Sequence, residues 1–334
     1  MSDLLPGTID WESLTSFSDT FTCYSAAIAT WVAWSEEDWP RVVNPGLWLT
    51  LQTDVLGGLF GFVHFPPGLG AKLGLVRAGG EPADAGRAVA GVLDELGRNG
   101  RVIVAGDGFN LPWHVAFQRR HVPHWFVLAD APAGPTVVDP FACRNELGTQ
   151  VAFSEPIAND RLAPLLVALP HDDPVALLRE ALALGDDAGP PDQSRYQWFI
   201  RADAGDRRTP AGVSGADAVA RLATHFREHG QEPAAYAQTD DIWSIARHRA
   251  FLCRHAQALA DRRADEEGRL WVEQHAAPLA KRWSHMAPLM MQATLALSAG
   301  RTASASVPDT LAELAERERM AARTLPAAFY PARN

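Results

Sequence analysis

The chain has no run of eighteen apolar residues, so no segment reads as a membrane-spanning helix. Its first ten residues are neither basic nor continuously apolar, and no secretory signal is expected there. Cysteine is scarce: Cys23, Cys143 and Cys253 are three widely separated thiols among 334 residues. An odd number with that spread is no disulfide framework. It suits a reducing cytoplasm, where a single thiol can persist as a nucleophile. Blocks of like charge are missing too, and the formal net charge is -10. Neutralising phosphates needs a basic surface, so nucleic-acid binding is not expected. There is no internal repeat and no low-complexity tract.

Apolar side chains, by contrast, are plentiful. At 47% hydrophobic, the chain can bury the core of one large domain or two of ordinary size. The order of segments predicts an α+β fold. Residues 1–170 alternate helix-like and strand-like stretches and form the expected first domain. A helix is predicted to start at or just after Cys23 and to end near Ser35-Glu36-Glu37-Asp38. Residues 84–96 carry Val89, Val92, Leu93 and Leu96 on one face, with Gly97 and Gly100 behind them, and predict another helix. The β-branched run 101–105 predicts a buried strand. Runs 125–129 and 136–139, on either side of Pro132-Ala133-Gly134-Pro135, predict an antiparallel hairpin. Between Leu47 and Val63 the period does not separate helix from strand. Residues 171–211 read as a linker, broken repeatedly by Asp, Gly and Pro, with one short helix from Pro174 to Leu184. Residues 212–330 read as an all-α region. In it Val219, Leu222, Ala223 and Phe226 share a face, and Leu279, Trp283, Met286, Met290, Ala293 and Leu297 make a longer one. A last helix is expected with Pro308 in its first turn.

Three residues could carry chemistry together. Cys23 stands where a polar stretch gives way to a helical run. The positive end of a helix dipole favours a thiolate, the reactive form of cysteine. Unpaired N–H groups at the same helix start could hold an oxyanion. On its own, such a cysteine is more often a small buried packing group. His124 directly precedes the strand 125–129, at an edge from which an imidazole can reach a cleft. Asp139 ends the following strand, which in a hairpin places it beside His124. A carboxylate there can accept the imidazole Nδ1–H and orient the ring; alone, Asp139-Pro140 is simply a turn. No metal is expected, because His121 and His124 have no further ligand pattern beside them.

Asp107, Asn110, Trp113 and His114 follow the strand 101–105 on a glycine-rich turn, where substrate contacts collect, and are candidate substrate-binding residues. The plainer alternative has Asp107 capping the turn and Trp113 packing. Trp271, Trp283, Met286, Met290 and Met291 read as helix-packing core rather than a binding groove, although the face around Trp283 would also suit a homodimer contact. Cys253, between His248 and His255 in a helix, reads as core.

The stretches Phe21-Thr-Cys-Tyr-Ser-Ala-Ala, Val102-Ile-Val-Ala-Gly-Asp-Gly-Phe-Asn-Leu-Pro-Trp-His, His124-Trp-Phe-Val-Leu and Val137-Val-Asp-Pro-Phe resemble the N-terminal family of butirosin biosynthesis protein H. Gly215 to Phe226 and the segment at Ile245 resemble the helical domain that commonly follows it in antibiotic-cluster proteins. The resemblance covers most of the chain. It implies a papain-like fold with an antiparallel sheet and a nucleophile-bearing helix. It also implies acyl transfer from an acyl or peptidyl carrier-protein thioester to an amine or hydroxyl, with Cys23, His124 and Asp139 at the catalytic positions and no cofactor. In one respect the chain departs from the wider papain-like pattern: Phe17 stands where a glutamine six residues before the nucleophile would donate to the oxyanion. Ser18, Thr20, Thr22 or backbone groups are the expected substitutes. The three residue types alone do not separate transfer from thioesterase or amidase hydrolysis, nor from a non-catalytic carrier-protein binder on the same scaffold.

Overall fold

The structure is a computed structural model that describes residues 9–36, 38–53, 55, 58–80, 84–132, 134–167, 173–185, 196–202, 211–326 and 329. The fold is α+β, with antiparallel sheets and a helical C-terminal region. It divides into two compact units. The first gathers Met1–Val43, Gly68–Leu177 and Ala188–Arg207, and the second gathers Asn44–Pro67, Leu178–Asp187 and Arg208–Asn334.

The first unit is built on a six-stranded antiparallel sheet. Its spatial order is Leu75–Gly80, Tyr196–Arg201, Arg101–Asp107, Pro123–Ala129, Thr136–Asp139, Phe153–Pro156. The strand Arg101–Asp107 is buried along its whole length, as its β-branched run requires. It pairs with Pro123–Ala129 so that Gly106 lies opposite His124. Pro123–Ala129 then pairs with Thr136–Asp139 as the expected hairpin.

One face of the sheet is covered by the helix Ala85–Asn99, whose Ala88, Val92 and Leu96 pack on Val102, Val104, Phe126 and Leu128. Asp84 caps its start through the Arg87 N–H, and Gly100 ends it in the left-handed conformation at φ 70°. Gly91 lets this helix approach closely: a Cβ there would lie 2.6 Å from the Trp198 ring. The helix Cys23–Ala33 packs against the strand Pro123–Ala129.

Two expectations change here. The region 171–211 is more than a linker, because Tyr196–Arg201 is an inner strand of this sheet, between Leu75–Gly80 and Arg101–Asp107. Its partners lie far away in sequence, and the turn-rich flanks concealed a six-residue β run. The helix expected from Pro174 to Leu184 is present as Pro174–Leu182, while residues 186–195 and 203–210 lie outside the described residues. Second, the segment Leu47 to Val63 holds two short strands, Thr50–Gln52 and Gly61–Val63, which belong to the second unit.

The second unit joins those strands to Val213–Ser214 in a three-stranded sheet and is helical from Ala216 onward. It is therefore not purely helical. Its main helices are Ala216–His229, Thr239–Arg263, Met286–Ser298 and Ser306–Arg323, with shorter pieces from Glu266 to Trp283. The expected faces are buried: Val219, Leu222, Ala223 and Phe226 on one helix, Leu311, Leu314 and Ala315 on the last. The long face around Trp283 spans two helices, Ala277–Trp283 and Met286–Ser298, which break at Ser284 and His285. Met291 of that stretch, expected in the core, is exposed. Inside this unit Arg249 and Glu318 form a buried ion pair, 2.8 Å from Nε to Oε1. Among the described residues no helix is long and apolar enough to cross a membrane.

Candidate active site

Three elements of the first unit bring Cys23, His124 and Asp139 together. Cys23 is the first residue of its helix. The start is set by a capping box: Thr22 Oγ1 accepts the Ser25 N–H, and Ser25 Oγ accepts the Thr22 N–H at 2.7 Å. The Cys23 N–H, at the first helical position, has no intrahelical acceptor. Cys23 is partly exposed, whereas His124 is only 1% exposed and Asp139 0%.

His124 Nε2 donates to Asp139 Oδ2 at 2.7 Å. This reverses the expected ring orientation, since the carboxylate takes the Nε2–H and not the Nδ1–H. Across the hairpin the far edge of the ring reaches Asp139, and the Cys23 thiol lies close enough to the imidazole to favour its charged form. Asp139 is supplied with donors from several sides. Trp113 Nε1 donates to Oδ2 at 2.9 Å, Gln150 Nε2 to the same oxygen at 3.4 Å, and the Phe141 N–H to Oδ1 at 3.1 Å. All these partners are donors, which suits an ionised, acceptor-only carboxylate.

The electrostatics follow. Burial alone lowers the His124 pKa. The charge and hydrogen bond of Asp139, joined by the Cys23 contact, outweigh it and push the pKa up to about 10. The ring is thus held as an imidazolium beside the sulfur at neutral pH. By contrast Cys253, in the helix Thr239–Arg263, packs on the second unit's core, and burial pushes its thiol up.

The four candidate substrate residues separate. Asp107 is buried and turned away from the site. Its Oδ1 accepts the Phe109 and Val122 N–H groups, and its Oδ2 bonds His121. It caps its turn, as the plainer alternative had it. His121 and His124 consequently face different carboxylates. Asn110 closes the short 3-10 turn Gly108–Asn110, with no bond to the Cys23–His124–Asp139 group. Trp113 donates to Asp139 and stacks on Phe153 at 4.8 Å, so it braces the carboxylate. His114 does reach the centre, its ring centroid 4.5 Å from that of His124.

Gln150, 2% exposed, went unnoticed in the sequence. The Gly148–Gln150 strand brings it under Asp139, where its Oε1 also accepts the Val115 N–H. Gly148, opposite Asn145 in a tight hairpin, marks the turn, but no local feature singles out the glutamine. Two of the expected oxyanion donors are committed elsewhere: Thr20 Oγ1 donates to the Phe17 carbonyl at 2.7 Å, and Thr22 is used in the capping box. Phe17 itself packs edge-on against Trp39. No family model matches the chain, and no curated protein matches it significantly.

Proposed function

We propose that this chain is a cysteine acyltransferase that takes an acyl group from a carrier-protein phosphopantetheine thioester and passes it to an amine or hydroxyl. The observation that carries this is a partly exposed cysteine at a helix start, beside a buried imidazole that a buried carboxylate orients. Structural cysteines are normally sealed in packing and lack such a partner. The choice of a thioester donor rests on the sequence resemblance to the butirosin biosynthesis protein H family.

In the proposed cycle the Cys23 proton resides on His124 Nδ1. The thiolate attacks the thioester carbonyl carbon, and the π electrons move to oxygen. Collapse of that intermediate breaks the carbon–sulfur bond to pantetheine, whose sulfur takes the proton from His124. The acceptor amine or hydroxyl then gives a proton to His124 as it attacks the Cys23 acyl group. A second collapse frees the product and releases the Cys23 sulfur beside the protonated His124. Asp139 stays ionised throughout and stabilises the imidazolium. The chemistry uses no cofactor or metal and fits a cytoplasmic setting, with the carrier protein and a small acceptor as partners.

Intact-protein mass spectrometry after exposure to an acyl thioester tests this. An acyl adduct that maps to Cys23, is lost in Cys23→Ala and is discharged by an added amine is the expected result. Discharge by water alone, at the same rate with and without amines, would assign a hydrolase instead. Absence of any adduct would leave a carrier-protein binder.

A further inference from the structure

The site holds a second histidine whose surroundings give it the opposite character. The Ala116 N–H donates to His114 Nδ1 at 3.1 Å, so that nitrogen must be an acceptor. The ring is therefore the neutral tautomer with its hydrogen on Nε2, and among the described residues nothing accepts that hydrogen. Burial, and then the charge of His124, push the His114 pKa down to about 2. The ring is 8% exposed and its orientation is fixed from behind: a Cβ on Gly108 would lie 2.6 Å from Nδ1, so only glycine leaves room for it there. Its neighbours in the chain are tied to the same carboxylate, Trp113 directly and Val115 through Gln150.

Two adjacent imidazoles with pKa values driven apart divide their labour: the charged one exchanges protons, and the neutral one can only donate a hydrogen bond. The site also needs such a donor. Phe17 offers none and Thr20 and Thr22 donate their hydroxyls locally, which leaves Ser18 and the Cys23 N–H as the remaining groups before the helix.

We propose that His114 is a catalytic hydrogen-bond donor whose Nε2–H, together with the Cys23 N–H, binds the acyl carbonyl oxygen as negative charge develops on it. This rests on the acyl-transfer function proposed above. His114 keeps its proton throughout, donating its Nε2–H to the carbonyl oxygen as that oxygen gains charge and loses it again. A preformed donor of this kind typically contributes a hundredfold or more to the rate.

The experiment compares wild-type protein with His114→Ala and His114→Gln, following two reactions of Cys23. One is acylation by S-acetyl-N-acetylcysteamine, which passes through an oxyanion. The other is alkylation by iodoacetamide across a pH series, which does not. The expected result is acylation slowed at least about a hundredfold in His114→Ala at little-changed KM, with partial recovery in His114→Gln, whose amide can donate. The alkylation rate and its pH profile stay as in wild type. Equal loss of both reactions would overturn the proposal and make His114 a support for His124. Unchanged acylation in His114→Ala would overturn it while leaving the acyl-enzyme intact. A wild-type protein that is alkylated and never acylated would remove the acyltransferase function and this donor with it.

Discussion

Burial by itself would strip the proton from His124, yet a carboxylate 2.7 Å from Nε2 and the thiol contact hold the ring charged up to about pH 10. The folded pKa stands above the ordinary 6.5. The associated stability is fully present below pH 6.5 and is lost as the pH rises through about 10. Any activity that needs the imidazolium should therefore show its alkaline limb near pH 10. Asp139→Asn removes the larger cause of the rise and leaves burial opposed by Cys23 alone, so that limb should move to lower pH. The pH profile of acyl transfer checks this, and an alkaline limb unmoved in the variant would contradict it. Cys23, His124 and Asp139 were legible because each stands at an element boundary that local pattern reveals. The nitrogen facing Asp139 was not, since ring orientation is set by the hairpin's side-chain geometry. Trp113 and Gln150 were not legible as braces of the carboxylate either, because their loops meet Asp139 only in three dimensions.

The helix that carries Cys23 begins where it does because Thr22 and Ser25 satisfy each other's N–H groups. Thr22→Ala should cost about 1 kcal/mol of stability. It should also fray the first turn, so that Cys23 alkylation slows even where the protein stays folded; denaturation midpoints and alkylation rates read the two effects separately. The helix Ala85–Asn99 makes a sharper demand. Gly91→Ala would set a Cβ 2.6 Å from the Trp198 ring, and overpacking of that kind costs about 1–3 kcal/mol, to be read from the denaturation midpoint. Gly91 gave no warning in sequence because the surface it approaches belongs to the strand Tyr196–Arg201, about a hundred residues on. That strand was hidden for the same reason. Its apolar pattern is short and its neighbours Leu75–Gly80 and Arg101–Asp107 are non-local, while the turn residues flanking it are conspicuous.

At the scale of the molecule, the second unit buries charge as well as apolar surface. Arg249 meets Glu318 through Nε and Nη2 and the carbonyls of Gly46, Leu47 and Trp48 through its other hydrogens, while Trp283 Nε1 donates to Glu318. Removing one partner strands a buried charge, so Glu318→Ala should destabilise by about 3–5 kcal/mol in chemical denaturation. Two buried histidines of this unit should add acid sensitivity. His64, which bonds Asp241 beside Arg179, and His248, near His64, Arg247 and Arg249, are both pushed below 6.5, mainly by burial. For a histidine with a lowered folded pKa the unfolded chain binds the extra proton, so stability is present above pH 6.5 and declines as the pH falls. Circular dichroism across an acid titration should show unfolding begin at a lower pH in His248→Gln than in wild type, provided the variant folds at neutral pH.

The amino-acid order was enough for the α+β class, the helical C-terminal region, the position of the helix that begins at Cys23 and the hairpin joining His124 to Asp139. Each depends on contacts between near neighbours, which leave a period, a cap or a turn to read. Which distant segments complete a sheet, which residues brace a carboxylate and which of two neighbouring histidines carries a charge emerged only on folding. Burial and hydrogen-bond partners are properties of residues brought together from far apart, and no local pattern records them.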